Sequence, residues 1–98
     1  MDNSETLSYF SVICIHDSNI ILTGGETNFR QIEKKCHVFN TIEDKWCEAP
    51  IPDLRVERKD HSSCCIGNNI YVVGGRGGEN KKPLSSIEQL TVRVSEHG

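Results

Sequence analysis

Two stretches of this chain, 50 residues apart, repeat one another without a gap: residues 14–25 and residues 64–75. Cys14 and Cys64, Asn19 and Asn69, Ile20 and Ile70, and both glycines of Gly24-Gly25 and Gly74-Gly75 are identical. In both copies the residues just before Gly-Gly are apolar or β-branched. A repeat at fixed spacing means that one supersecondary unit is used twice, and such units bury their apolar faces against one another. Any fold proposed for this chain must therefore be one that stacks copies.

Each copy describes a β-hairpin. A β-prone run (residues 9–15, then 62–66) meets a turn, Asp17-Ser18-Asn19 or Gly67-Asn68-Asn69, made of residues that tolerate positive φ. The run that follows (residues 20–23 and 70–73) is apolar at consecutive positions, which predicts strands covered on both faces. A polar stretch (26–34 and 76–86) leads to a third β-prone segment (36–39 and 87–92), where the offset grows to about 51. The first copy turns through residues 40–45 into a fourth strand at Trp46, Cys47 and Glu48, then reaches Pro50-Ile51-Pro52. The second copy carries His97 at the position of Trp46 and lacks a clear fourth strand. The chain is expected to be all-β: a tail at 1–7, a complete four-stranded unit at 8–52 and an incomplete one at 53–98.

A length of 98 residues allows one small domain, and 36% hydrophobic content is too high for a disordered chain. The formal charge of −3 lacks the basic excess that nucleic acid or an anionic membrane surface requires. The longest uncharged apolar-rich stretch, residues 7–15, is about half of the roughly 20 residues a spanning helix needs. Asp2 and Glu5 stand where a signal peptide has basic residues, so a cytoplasmic chain is expected, with no nucleic-acid or membrane partner. The five cysteines are odd in number and form no C-x-x-C pair, and the vicinal Cys64 and Cys65 read as small residues of a half-buried strand. His16, His37, His61 and His97 lie 21, 24 and 36 residues apart, too far for local metal pairs. There is no G-x-S-x-G elbow, and Gly74-Gly75-Arg76-Gly77-Gly78 lacks the G-K-[ST] ending of a phosphate loop. No catalytic residue, metal or cofactor is expected.

A unit of about 50 residues and four strands, with Gly-Gly after an apolar strand and an aromatic followed by Trp, resembles the kelch repeat, a β-propeller blade. Ile70-Tyr71-Val72-Val73-Gly74-Gly75 is similar to the family's strongest strand, and Arg58-Lys59-Asp60-His61-Ser62 to the Arg-x-x-His-Ser stretch leading into a blade. Phe39 and Trp46 stand where the family has Tyr and Trp. The resemblance covers residues 8–98 and departs at Leu90 and His97, which replace aromatics in the second copy. The first copy also lacks the Arg-x-x-His stretch. It implies kelch-type propeller blades with Gly24, Gly25, Phe39, Trp46, His61, Tyr71, Gly74 and Gly75 as the structural motif.

The resemblance further implies a non-enzymatic protein–protein interaction module, the substrate-recognition part of a cullin-type ubiquitin-ligase adaptor such as a BTB-kelch protein. The alternatives are a cytoskeletal, actin-associated or scaffolding kelch protein, or a truncated remnant without independent function. In kelch adaptors, loop arginines clasp acidic target segments, because a planar guanidinium pairs bidentately with carboxylate. The corresponding candidates are Arg55, Arg58, Lys59, Arg76, Lys81 and Lys82, which otherwise are ordinary solvated loop charges. Outward faces such as Ile20, Leu22, Tyr71 and Val73 await cover from remaining blades or from self-association.

Overall fold

The structure is a computed structural model and is described for residues 6–47 and 51–91. The expected fourth-strand residue Glu48 and the His97 position lie outside the described residues. Twelve strands and no helix occupy the described residues. In the first half they are β1 (Leu7–Ser8), β2 (Ser11–Ile15), β3 (Asn19–Thr23), β4 (Glu26–Thr27), β5 (Cys36–Asn40) and β6 (Lys45–Cys47). In the second they are β7 (Arg58–Lys59), β8 (Ser62–Ile66), β9 (Asn69–Val73), β10 (Arg76–Gly77), β11 (Lys82–Pro83) and β12 (Ile87–Thr91). Two antiparallel sheets carry the repeats, β2-β3-β5-β6 and β8-β9-β12, and β1-β4 and β7-β10-β11 form two small ones beside them.

Strand pairing corrects the gapless alignment. Ile15 pairs with Asn19 across a turn of three residues, whereas Ile66 pairs with Asn69 across a turn of two. The first strands are therefore offset by 51 and the second strands by 50, so Cys14 corresponds to Cys65 and not to Cys64. The turn residues are His16, Asp17 and Ser18 in one copy and Gly67 and Asn68 in the other, with Asn19 and Asn69 already in strands. The small sheets extend the repeat backwards. Leu7 pairs with Thr27 as Arg58 pairs with Gly77, which makes Leu7, Tyr9 and Phe10 the counterparts of Arg58, Asp60 and His61. Tyr9 and Asp60 share a positive φ of 56° and 55°. Strand β1 thus holds in the first repeat the place that β7 holds in the second.

Alternation within the strands sorts each sheet into two faces. One cross-strand row, Ile13-Ile21-Val38-Cys47, belongs to the face of the first sheet that turns towards the second. The second sheet answers with Cys65-Ile70-Leu90 and with Val72. Ile21, Val38, Ile70 and Val72 are fully buried there, and Ile51 and Leu54 from the connecting segment close the same core. Full burial of one such side chain stabilises the fold by about 1.5–3 kcal/mol. The opposite faces are only half covered: Ile20 and Leu22 are partly buried, Tyr71 likewise, and Val73 is exposed. The second runs are therefore covered fully on one face only.

The Gly-Gly motif sits where the two repeats cross. The Gly25 amide donates to the Arg58 carbonyl at 2.8 Å. A Cβ on Gly24, whose φ is +59°, would collide with that carbonyl and lie 2.7 Å from His61 Cε1. Only glycine lets the lead-in strand of the second repeat approach this closely. Ser11 Oγ and Ser63 Oγ hydrogen-bond at 2.5 Å, and Thr23 Oγ1 and His61 Nε2 at 2.8 Å, so strands β2 and β8 run side by side along the joint.

Candidate functional site

Both repeats send the loop after their Gly-Gly to the same side of the joint. There a groove of about 400 Å³ is lined by Arg30, Gln31, Ile32, Glu33 and Lys34 of the first repeat. Glu57 of the connecting segment and Gly78 and Lys81 of the second repeat complete it. The Glu33 amide donates to the Gly25 carbonyl at 2.8 Å and the Arg58 amide to the Glu33 carbonyl at 3.2 Å, which fixes the first loop to the connector. On the other side the Gly78 amide donates to the Glu57 carbonyl at 3.3 Å. A Cβ on Gly77 would overlap the Glu57 carbonyl, so the glycine is what lets the second loop meet the connector.

Arg30 and Lys81 are structural counterparts in these loops. The Arg30 amide donates to Thr27 O at 3.0 Å and the Lys81 amide to Gly78 O at 3.2 Å, each closing a tight turn. Both residues have positive φ, 61° and 52°, and both are exposed. Cations in left-handed backbone at matching positions cap the two sides of the groove. With Lys34 they outnumber Glu33 and Glu57, so the lining suits a chain that brings carboxylates.

The six candidate cations do not converge. Lys81 alone of them lines the groove. Arg55, Arg76 and Lys82 are exposed on the connector, on β10 and on β11. Lys59 is half-buried, pairs with Glu26 at 3.2 Å and lies 5.3 Å from the centre of the Tyr9 ring. Arg58 is an interior group and not the partner-contacting loop cation that its sequence neighbourhood suggests. Its side chain is 0% exposed and meets the Glu88 carboxylate at 2.7 Å. Further donations go to Gly74 O at 3.0 Å, Ser86 O at 3.3 Å and Ser86 Oγ at 3.0 Å. Burial alone would raise the Glu88 pKa, but the Arg55 and Val56 amides and the Arg58 guanidinium outweigh it and hold the carboxyl below its ordinary range.

The motif residues are structural in their placement. Phe39 and Trp46 are direct cross-strand partners packed edge to face at 5.1 Å. His61 is held below its usual pKa by burial and by the nearby Arg58 charge. All five cysteines are free thiols. Among the described residues no cluster of His, Cys, Asp and Glu is arranged to hold a metal ion. Sequence reasoning missed Arg30 and Glu57. The signal for Arg30 was its place two residues before Ile32, where its loop returns, as Lys81 stands two before Pro83, a 51-residue spacing that one extra residue in the second loop creates.

Antiparallel sheets stacked face to face, each with a Gly-Gly at the end of its second strand, are blades of the β-propeller type. The sequence profile of the Kelch motif family matches residues 57–94. Kelch-like protein 25 of Xenopus tropicalis is 37% identical over 62 residues, covering 62% of this chain and 10% of the relative. Kelch-like protein 22 of Homo sapiens is 30% identical over 78 residues, covering 78% of this chain and 12% of the relative. The chain thus spans about a tenth of the length of the curated relatives it matches. It belongs to the kelch-repeat family, whose blades generally serve as non-enzymatic protein-interaction modules.

Proposed function

We propose that this chain is a substrate-recognition element of a cullin-type ubiquitin-ligase adaptor and that its loop groove takes an acidic peptide segment of the target. The observation that carries the reading is the pairing of Arg30 and Lys81 across a groove whose floor is held by backbone hydrogen bonds. Guanidinium and ammonium groups on two fixed turns give an extended peptide two carboxylate contacts. Arg55, Arg76 and Lys82 add long-range attraction that speeds association without fixing the pose. The kinship with Kelch-like proteins supports the adaptor reading, and a cytoplasmic site of action goes with that reading.

The test is titration of the chain with a fluorescent peptide rich in Asp and Glu, beside the same peptide with Asn and Gln in their place. The acidic peptide should bind, with affinity falling as salt rises, and Arg30→Glu together with Lys81→Glu should weaken it at least about tenfold. Equal affinity for both peptides, or no effect of the double reversal, overturns the groove assignment. For the adaptor role, expression of the 98-residue chain in cells should slow turnover of the protein it captures, by occupying the segment a ligase needs. Unchanged turnover of a captured protein overturns that role in favour of scaffolding.

A further inference from the structure

The two loops beside the groove turn in the same way and are filled differently. In each, four residues close a tight turn by a hydrogen bond from the last amide to the first carbonyl. They are Thr27-Asn28-Phe29-Arg30 in the first repeat and Gly78-Glu79-Asn80-Lys81 in the second. The last residue of each is a groove cation in left-handed backbone. The residue before it is Phe29 in one loop and Asn80 in the other. The second repeat thus builds this turn without an aromatic side chain, so the fold does not require one there.

Phe29 is displayed on a fixed support. Its side chain belongs to a residue that is 69% exposed, directly before Arg30. The Phe29 amide donates to Thr27 Oγ1 at 3.2 Å and the Gln31 amide to the same oxygen at 3.3 Å. The Thr27 amide donates to Gln31 O at 2.9 Å, so the turn that carries the ring is tied from both ends. A further repeat would not cover it. A repeat stacked ahead of the first would stand to Phe29 as the first stands to Asn80, and Asn80 is exposed. The ring is open because of its place in the turn.

The ring supplies what the groove lacks. Among the side chains that line the groove only Ile32 is apolar, and it is half-buried. Exposed ion pairs contribute little to affinity by themselves. The residues that dominate interfaces are clustered aromatic and arginine side chains in contact with the partner. Phe29 and Arg30 are such a pair, on Cα atoms about 3.8 Å apart. An extended peptide advances about 3.3 Å per residue. A peptide whose carboxylate meets Arg30 therefore brings a side chain to Phe29 from a position one or two residues along.

We propose that Phe29 determines the specificity of the groove, selecting acidic peptides that carry a bulky apolar side chain within two residues of a carboxylate. This rests on the acidic-peptide reading of the groove, and three fluorescent peptides separate the two. One is built of Asp and Glu around a single central Leu, the second has Ala for that Leu, and the third keeps the Leu but has Asn and Gln for the acids. Titrated with the 98-residue chain, the acidic Leu peptide should bind about tenfold more tightly than the acidic Ala peptide. That preference should persist as salt rises, whereas the preference for acids over amides should shrink. Phe29→Asn, which installs the residue the second repeat uses at this turn, should erase the preference for Leu, and Phe29→Leu should keep most of it. Circular dichroism checks that both variants retain their β-structure. Equal affinity for the two acidic peptides, or a preference for Leu that survives in Phe29→Asn, overturns the role of Phe29 and leaves the groove reading standing. Equal affinity for the acidic Leu peptide and its Asn and Gln counterpart overturns the groove reading and the role of Phe29 with it.

Discussion

The Arg58 guanidinium and the Glu88 carboxylate meet at 2.7 Å with side chains 0% and 8% exposed. Glu88 also accepts the Arg55 and Val56 amides, so one carboxylate ties the connecting segment to β12. The first repeat has Leu7 and His37 at the equivalent places. Removing one partner strands the other as a buried charge, at a cost of about 3–5 kcal/mol. Arg58→Met should lower the unfolding free energy in urea by that amount, and Arg58→Met with Glu88→Met should recover part of it. A loss under about 1 kcal/mol for Arg58→Met, the value of a surface pair, would mean that the pair is solvated.

Acid should weaken the fold in two stages. His61 is kept neutral by burial, below its ordinary pKa of 6.5, so on acidification the unfolded chain takes up the proton first. Stability therefore falls once the pH drops below about 6.5. Glu88 has a folded pKa below its ordinary 4.5, so its contribution is present above that value and is lost as the pH falls through the folded pKa. Denaturation midpoints measured from pH 7.5 to 4 should show the first decline, and His61→Gln should flatten it. An unchanged slope in His61→Gln would assign the decline to another group.

Cys36 should be the inert thiol. Burial, with help from the Asp53 charge, pushes its pKa up to about 12, whereas Cys14 and Cys64 are exposed. Because thiolate is the reactive form, alkylation at pH 8 should modify Cys14 and Cys64 roughly 100-fold or more faster than Cys36. Peptide mapping over time reads the rates. Comparable rates would mean that the edge of the core beside Gly24 opens readily.

The hairpins and the stacking of repeats were legible because turn residues, apolar runs and Gly-Gly recur together. The alignment of Cys14 with Cys64 was not, because identical residues drew the copies into a gapless match that the three-residue turn at His16 breaks. Strand β1 escaped notice, since a strand of two residues declares itself only through its partner, here β4. Arg58 was read as a loop cation because charge counting over neighbours cannot see Glu88, 30 residues further on. Arg30 went unnamed since its role depends on standing opposite Lys81 across a groove, a relation only the packed repeats create.

The packing of the two repeats against each other carries both the groove and the buried pair, and Ser11 and Ser63 probe it directly. Their hydroxyl oxygens lie 2.5 Å apart on adjacent strands of different repeats. Ser11→Cys together with Ser63→Cys should form a disulfide under mild oxidation, identified by mass spectrometry of the linked peptides. Efficient formation of that one bridge, with the β-sheet spectrum retained, is the result predicted. Failure of the two cysteines to link, while either links as readily to the chain's own exposed Cys14 or Cys64, would contradict the face-to-face arrangement.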